Sequence, residues 1–155
     1  MLKNLRVVGW ALVIVLVDQI TKFLAVTGLR PVHSVAVIPG FLNFSYVENI
    51  GAAWGMLAGR QVFLIIFTLL TLAWLIWKRE RVFGGIPLSR SIQVLLLGGI
   101  FGNLIDRIVR GYVVDFLDFY IGSSHFPCFN VADTAICSGA ILLMAVQLFF
   151  SPSKV

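Results

Sequence analysis

The chain has 155 residues, 59% of them hydrophobic and only 12% charged, with a mean hydropathy of +0.98. Soluble domains are about 45–50% apolar, so this composition excludes a soluble globular protein and predicts one integral membrane domain over residues 1–155. The net charge of +5, from 12 basic and 7 acidic residues, does not point to nucleic acid, because the basic residues flank apolar runs instead of forming a stripe interleaved with exposed aromatics.

The N-terminal stretch "MLKNLRVVGWALVIVLV" has the basic start and apolar body of a secretory leader. Its apolar character continues through Asp18, Gln19 and Lys22 to Val26 with no small-x-small cleavage site, which predicts a retained first span over 7–26. A span needs about 20 apolar residues in a helix, because backbone polar groups in hydrocarbon must satisfy one another within the segment. The loop 27–61 follows. Within it "VAVIPGFLNFSYV" places two β-prone runs either side of Pro39-Gly40, the pattern of a hairpin lying on the membrane surface. "GAAWGML" then predicts a short interfacial helix with Trp54 at headgroup depth.

The second apolar segment, 62–77, is short for a span, but Arg60 and Lys78 at its ends can extend long side chains to the headgroups. The third runs over 86–108, a second outer loop over 109–130 and the fourth span over 131–150. The expected fold class is therefore an all-α membrane protein built as a four-helix bundle. Lys3 and Arg6 precede the first span, Lys78, Arg79, Arg81 and Arg90 surround the middle connection, and Lys154 follows the last. The positive-inside rule puts both termini and the middle connection in the cytoplasm, and the loops 27–61 and 109–130 outside.

This topology sorts the polar residues by depth. Asp18 and Lys22 fall in the outer half of the first span, Asn103, Asp106 and Arg107 in the last turns of the third, and Asn130 and Asp133 in the first turn of the fourth. An ionised side chain near mid-span costs about 2.5–3.5 kcal/mol on insertion scales, so such residues persist where they face partners or water. Structural readings exist for each. Asn130-x-x-Asp133 has the form of a helix start, Asp18 with Lys22 and Asp106 with Arg107 can pair to let helices insert, and Asp115 and Asp118 in "VVDFLDFY" can be surface acids.

The combination goes further. Asp115 follows the third span, Asp133 opens the fourth, and the loop between them is short enough to return one beside the other. Two carboxylates at a partly desolvated surface cannot both ionise easily, which leaves a proton donor beside a general base. Such a pair can activate water against a peptide carbonyl, and no serine or cysteine nucleophile with a neighbouring base is evident. Cys128, Cys137, His33 and His125 form no ligand cluster, so neither a metal nor a cofactor is expected. Cys137 reads as a small packing residue, and Cys128 as a lone loop thiol that could sensitise the protein to thiol reagents. A proton-coupled transporter, the chief alternative, would carry its acids nearer mid-membrane and expose them alternately to both sides.

Five separated motifs, "DQITK" at Asp18 to Lys22, "NIGAAW" at Asn49 to Trp54, "GNLIDR" at Gly102 to Arg107, "VVDF" at Val113 to Phe116 and "FNVAD" at Phe129 to Asp133, resemble the bacterial lipoprotein signal peptidases (signal peptidase II). The resemblance covers nearly the whole chain. It implies four transmembrane helices, an extracytoplasmic β-cradle and a surface helix, with Asp115 and Asp133 as the catalytic pair. It implies as substrate a prolipoprotein whose cysteine carries diacylglycerol, cut just before that cysteine, by a monomeric enzyme among the lipids of the bacterial inner membrane. It implies that Asn49, Asn103, Arg107 and Asn130 line the site with Gly51 and Ala52 of the "NIGAAW" motif, while Asp18, Lys22 and Asp106 are motif residues in support. Asp118 matches no motif position. Arg107 and Asn49, both hydrogen-bond donors, are expected to hold substrate carbonyls.

Overall fold

The computed structural model describes residues 2–52 and 56–150. Helix α1 spans Leu2–Leu24 and runs into a π-helical turn, Ala25–Leu29. Strands β1 (Ser34–Ile38) and β2 (Leu42–Asn49) follow, then α2 (Gln61–Trp77), a one-turn α3 (Arg79–Phe83) and α4 (Ser89–Val109). Strands β3 (Val113–Ile121) and β4 (Ser124–His125) precede α5 (Val131–Phe150). Three helical segments, Leu5–Leu29, Ser89–Val109 and Val131–Phe150, are long and apolar enough to cross a bilayer. With 17 residues, α2 is shorter.

Small residues let the long helices touch. A β-carbon on Gly98 would lie 2.7 Å from Ile14 Cβ, and one on Gly102 2.6 Å from Asp18 Oδ2, so side chains larger than hydrogen are excluded and the backbones approach closely, as small residues permit in membranes. Ile14 beside Gly98, Asp18 beside Gly102 and Lys22 beside Asp106 follow one another turn by turn, which makes α1 and α4 parallel. Ala132 lies at Gly102 and Gly139 at Leu96, so α5 runs antiparallel to α4. At one end of the bundle Leu75, Phe83, Ile92, Leu96 and Val146 form a core drawn from α2, α3, α4 and α5. At the other, Ala25, Val114 and Phe116 join the π-turn to β3.

The hairpin turns at Pro39-Gly40 as expected, with β1 pairing β2 from Ser34↔Ser45 to Ile38↔Leu42. The second outer loop differs from expectation. Its residues 113–121 form β3, which pairs β2 antiparallel from Asn49↔Val113 to Leu42↔Phe119, giving a four-stranded sheet in the order β1-β2-β3-β4. "VVDFLDFYI" has the β-branched and aromatic composition of a strand, but its acids made it read as a polar loop. Val113 to Phe116 are all buried, because this half of the strand pairs with β2 and packs against the π-turn and the ends of α1 and α4. The third span begins at Ser89, three residues later than expected, and the connection before it contains α3. The interfacial helix expected over "GAAWGML", residues 51–57, includes residues 53–55, which lie outside the described residues.

Candidate active site

Two neighbouring polar clusters occupy the end of the bundle that meets the sheet. The first is centred on Lys22. Its ammonium lies 2.9 Å from Asp18 Oδ2 and 3.1 Å from Asp106 Oδ2, with all three side chains 0% exposed, and it donates to Asn103 Oδ1 at 2.9 Å. The remaining carboxylate lone pairs tie elements together. Asp18 Oδ1 accepts the Ala132 N–H at the start of α5, and Asp106 Oδ2 accepts the Val114 N–H in β3. Gln19 donates to Asp18, to Asp106 and to the Gly102 carbonyl, and Arg110 pairs with Asp106.

This corrects one expected pair. The partner of Asp106 is Arg110, one turn on along the same helix face, together with Lys22. Arg107 turns the other way and donates to the Gly51 carbonyl at 3.3 Å. Gln19 and Arg110 were not anticipated as members of the cluster, although the i,i+4 spacing of Asp106 and Arg110 was readable.

The second cluster holds Asp115 and Asp133. β3 carries Asp115, 1% exposed, into the junction, where its Oδ2 accepts from Asn49 Nδ2 at 2.9 Å and its Oδ1 from Asn130 Nδ2 at 2.7 Å. Asn130 is the N-cap of α5. Its Oδ1 accepts the Asp133 N–H at 2.9 Å while Asp133 Oδ2 accepts the Asn130 N–H at 3.2 Å, a reciprocal capping box. Asn103 Nδ2 donates to Asp133 Oδ1 at 2.6 Å. The helix-start reading of Asn130-x-x-Asp133 is therefore correct, and the same cap links both carboxylates. Burial first, and the charge of Asp133 second, push the Asp115 carboxyl up to about 7.

The amides are oriented by what surrounds them. Lys22 and Asn130 Nδ2 both donate to Asn103 Oδ1, so Asn103 Nδ2 must turn to Asp133. Asn49 Nδ2 donates to Asp115, and Asn49 Oδ1 accepts the Gly51 N–H. One of the two N–H donors of Asn49 is thus engaged by a site carboxylate. Arg107 Nε is buried with no acceptor among the described residues. Ala52 donates its N–H to the Met56 carbonyl.

Asp118 lies outside this arrangement, bound to His125 Nδ1 at 2.7 Å, Ser45 at 3.1 Å and Asn43 at 3.4 Å. Burial raises its carboxyl, but the hydrogen bonds from His125, Asn43 and Ser45 outweigh it and hold the group below the ordinary carboxylate range. Cys128 is half-buried, and burial, then the charges of Asp115 and Asp118, push its thiol up to about 12. That shift favours the protonated, less nucleophilic thiol at neutral pH. Cys137 is exposed on α5 rather than packed inside.

Residues 10–150 match the family model of signal peptidase (SPase) II. The lipoprotein signal peptidase of Bacillus pumilus is 39% identical over 144 residues, covering 93% of this chain and 92% of that protein. That of Syntrophotalea carbinolica is 44% identical over 140 residues, covering 88% and 87%. Among solved structures, a bacterial membrane enzyme determined by the in meso method superposes with a TM-score of 0.78 at 35% identity, covering 97% of this chain and 93% of its own.

Proposed function

The chain belongs to the signal peptidase II family, and from that premise we propose that it hydrolyses the signal peptide from diacylglyceryl-prolipoproteins just before the lipidated cysteine, with Asp115 and Asp133 as the catalytic pair. The observation that carries this reading is Asn130, which donates to Asp115 through its amide and caps Asp133 through the same side chain. Two acids from separate elements are thereby held around one point.

The chemistry follows from their settings. Asp115, its carboxyl pushed up to about 7, carries the proton, and Asp133, facing N–H donors at the positive end of the α5 dipole, is the base. Water attacks the scissile carbonyl carbon, its proton passes to Asp133, and the Asp115 proton passes to the carbonyl oxygen. The resulting gem-diol collapses as the C–N bond breaks. The leaving nitrogen takes the proton from Asp133, and a diol hydroxyl returns one to Asp115. Arg107 Nε supplies a free donor for a substrate carbonyl, while Asn49, Asn103 and Asn130 position the acids. Asp18, Lys22 and Asp106 lock the helices that carry them, and Gly51 gives Arg107 its carbonyl anchor.

The protein is a multi-pass bacterial membrane protein. In our reading α2 forms a fourth span, shortened and extended by Arg60 and Lys78, both termini face the cytoplasm, and the acids lie near the outer surface of a monomeric single domain. There the scissile bond of a lipid-anchored precursor presents itself. Purified protein should convert a diacylglyceryl-prolipoprotein to a product beginning at the lipidated cysteine, as read by mass, and leave the unlipidated precursor intact. Equal cleavage of both precursors would overturn the substrate assignment.

A further inference from the structure

The contact between α1 and α4 is closed at Gly98 and Gly102 and open beyond them. Toward the helix starts, α4 presents Val94 and Leu95 where glycines would be needed for close approach, and α1 presents Trp10 and Val7. The result is a cavity of about 960 Å3, within the range of small-molecule and cofactor sites of about 300–1000 Å3. Its inner walls are aliphatic, from Val13, Ile14, Val94 and Leu95. Its rim is cationic, with Arg6 one turn before Trp10 and Arg90 in the first turn of α4, beside Ser89 and Ser91. Among the described residues neither guanidinium has an ion-pair partner. Arg90 and Ser89 also border a second cavity of about 210 Å3 lined by Arg79 and Glu80, so the purely cationic character is confined to the groove.

We propose that this groove is a binding site for an anionic phospholipid of the cytoplasmic leaflet, the phosphate held between Arg6 and Arg90 and an acyl chain lying along Val13, Ile14, Val94 and Leu95. Charge selects this occupant. Two guanidiniums without an ion-pair partner among the described residues, at the end of an aliphatic trough, match a phosphate carrying a hydrocarbon tail, and basic clusters at the cytoplasmic ends of membrane helices favour anionic lipids. The same charges repel the basic n-region of a signal peptide, which excludes the substrate from the trough. The leaflet rests on the orientation given under the proposed function. The ligand chemistry does not, and its readout is independent of cleavage.

Native mass spectrometry of the whole protein with equimolar phosphatidylglycerol and phosphatidylcholine tests the site. The wild type should retain phosphatidylglycerol preferentially, and Arg6→Gln with Arg90→Gln should lower that preference by roughly fivefold per arginine. Arg81→Gln, exposed and outside the groove, should leave the preference intact. No preference in the wild type, an unchanged preference in the double variant, or an equal loss in Arg81→Gln would overturn the proposal, the last by showing a diffuse surface field. A second measurement needs no arginine variant. Brominated phosphatidylglycerol should quench Trp10 emission, taken as wild type minus Trp10→Phe, more than brominated phosphatidylcholine does, and equal quenching would overturn the site.

Discussion

The Lys22 cluster and the Asp115–Asp133 pair lie side by side and are both built from buried acids, yet they are held by different chemistry. Asp18 and Asp106 each touch a cation. Among the described residues neither Asp115 nor Asp133 has an ion-pair partner, and both are gripped by asparagine amides and backbone N–H groups. A cation fixes the charge of its partner as well as its position. An amide fixes position and leaves the carboxyl free to gain or lose a proton. The difference separates acids fixed by a cation from acids left free to gain or lose a proton.

Substitutions that convert one kind of acid into the other break this contrast. The largest effect is expected at the amide-held pair. Asp115→Asn and Asp133→Asn should each lower cleavage by about 10²–10⁴-fold, the usual worth of a general acid or base, with the unfolding midpoint close to wild type. Lys22→Met should do the reverse, costing about 3–5 kcal/mol of stability because buried Asp18 loses its cation while Asp106 keeps only Arg110, as read by denaturant or thermal unfolding.

The pH profile sharpens the contrast further. Because Asp115 must carry a proton and its carboxyl lies near 7, cleavage should fall as pH rises through about 7. The hydrogen bond from Asn49 lowers that value, so Asn49→Ala should move the alkaline limb to higher pH and reduce the rate roughly tenfold, the worth of a hydrogen bond to a charged group. The smallest change is expected at the outlying acid. Asp118→Asn weakens a partly exposed pair with His125, worth about 1 kcal/mol or less, and the hydrogen bonds from Ser45 and Asn43, all away from the Asp115–Asp133 pair, and cleavage should stay within about twofold.

Periodicity and length made the helices legible. The last span, expected over 131–150, begins where its apolar run does, because a capping box starts it. The hairpin was legible through Pro39-Gly40. β3 was hidden because strand propensity competes with acidic residues whose burial depends on partners far along the chain, Asn49 and Asn130, which no local pattern reveals. Depth sorting gathered the polar residues correctly but could not say which acid meets which base. Asp106 precedes both Arg107 and Arg110 within one helical turn, and only the side-chain direction around α4 decides between them. The engagement of Asn49 with Asp115 was hidden for the same reason, since it arises from the pairing of β2 with β3.

The central claim is that an amide-held Asp115 carries an exchangeable proton beside Asp133. Infrared titration of the purified protein in lipid tests it most directly. The account predicts a protonated carboxyl stretch that disappears as pH rises through about 7 and is missing from Asp115→Asn. A wild-type spectrum with no such band between pH 5 and 8, or one that survives in Asp115→Asn, would contradict it.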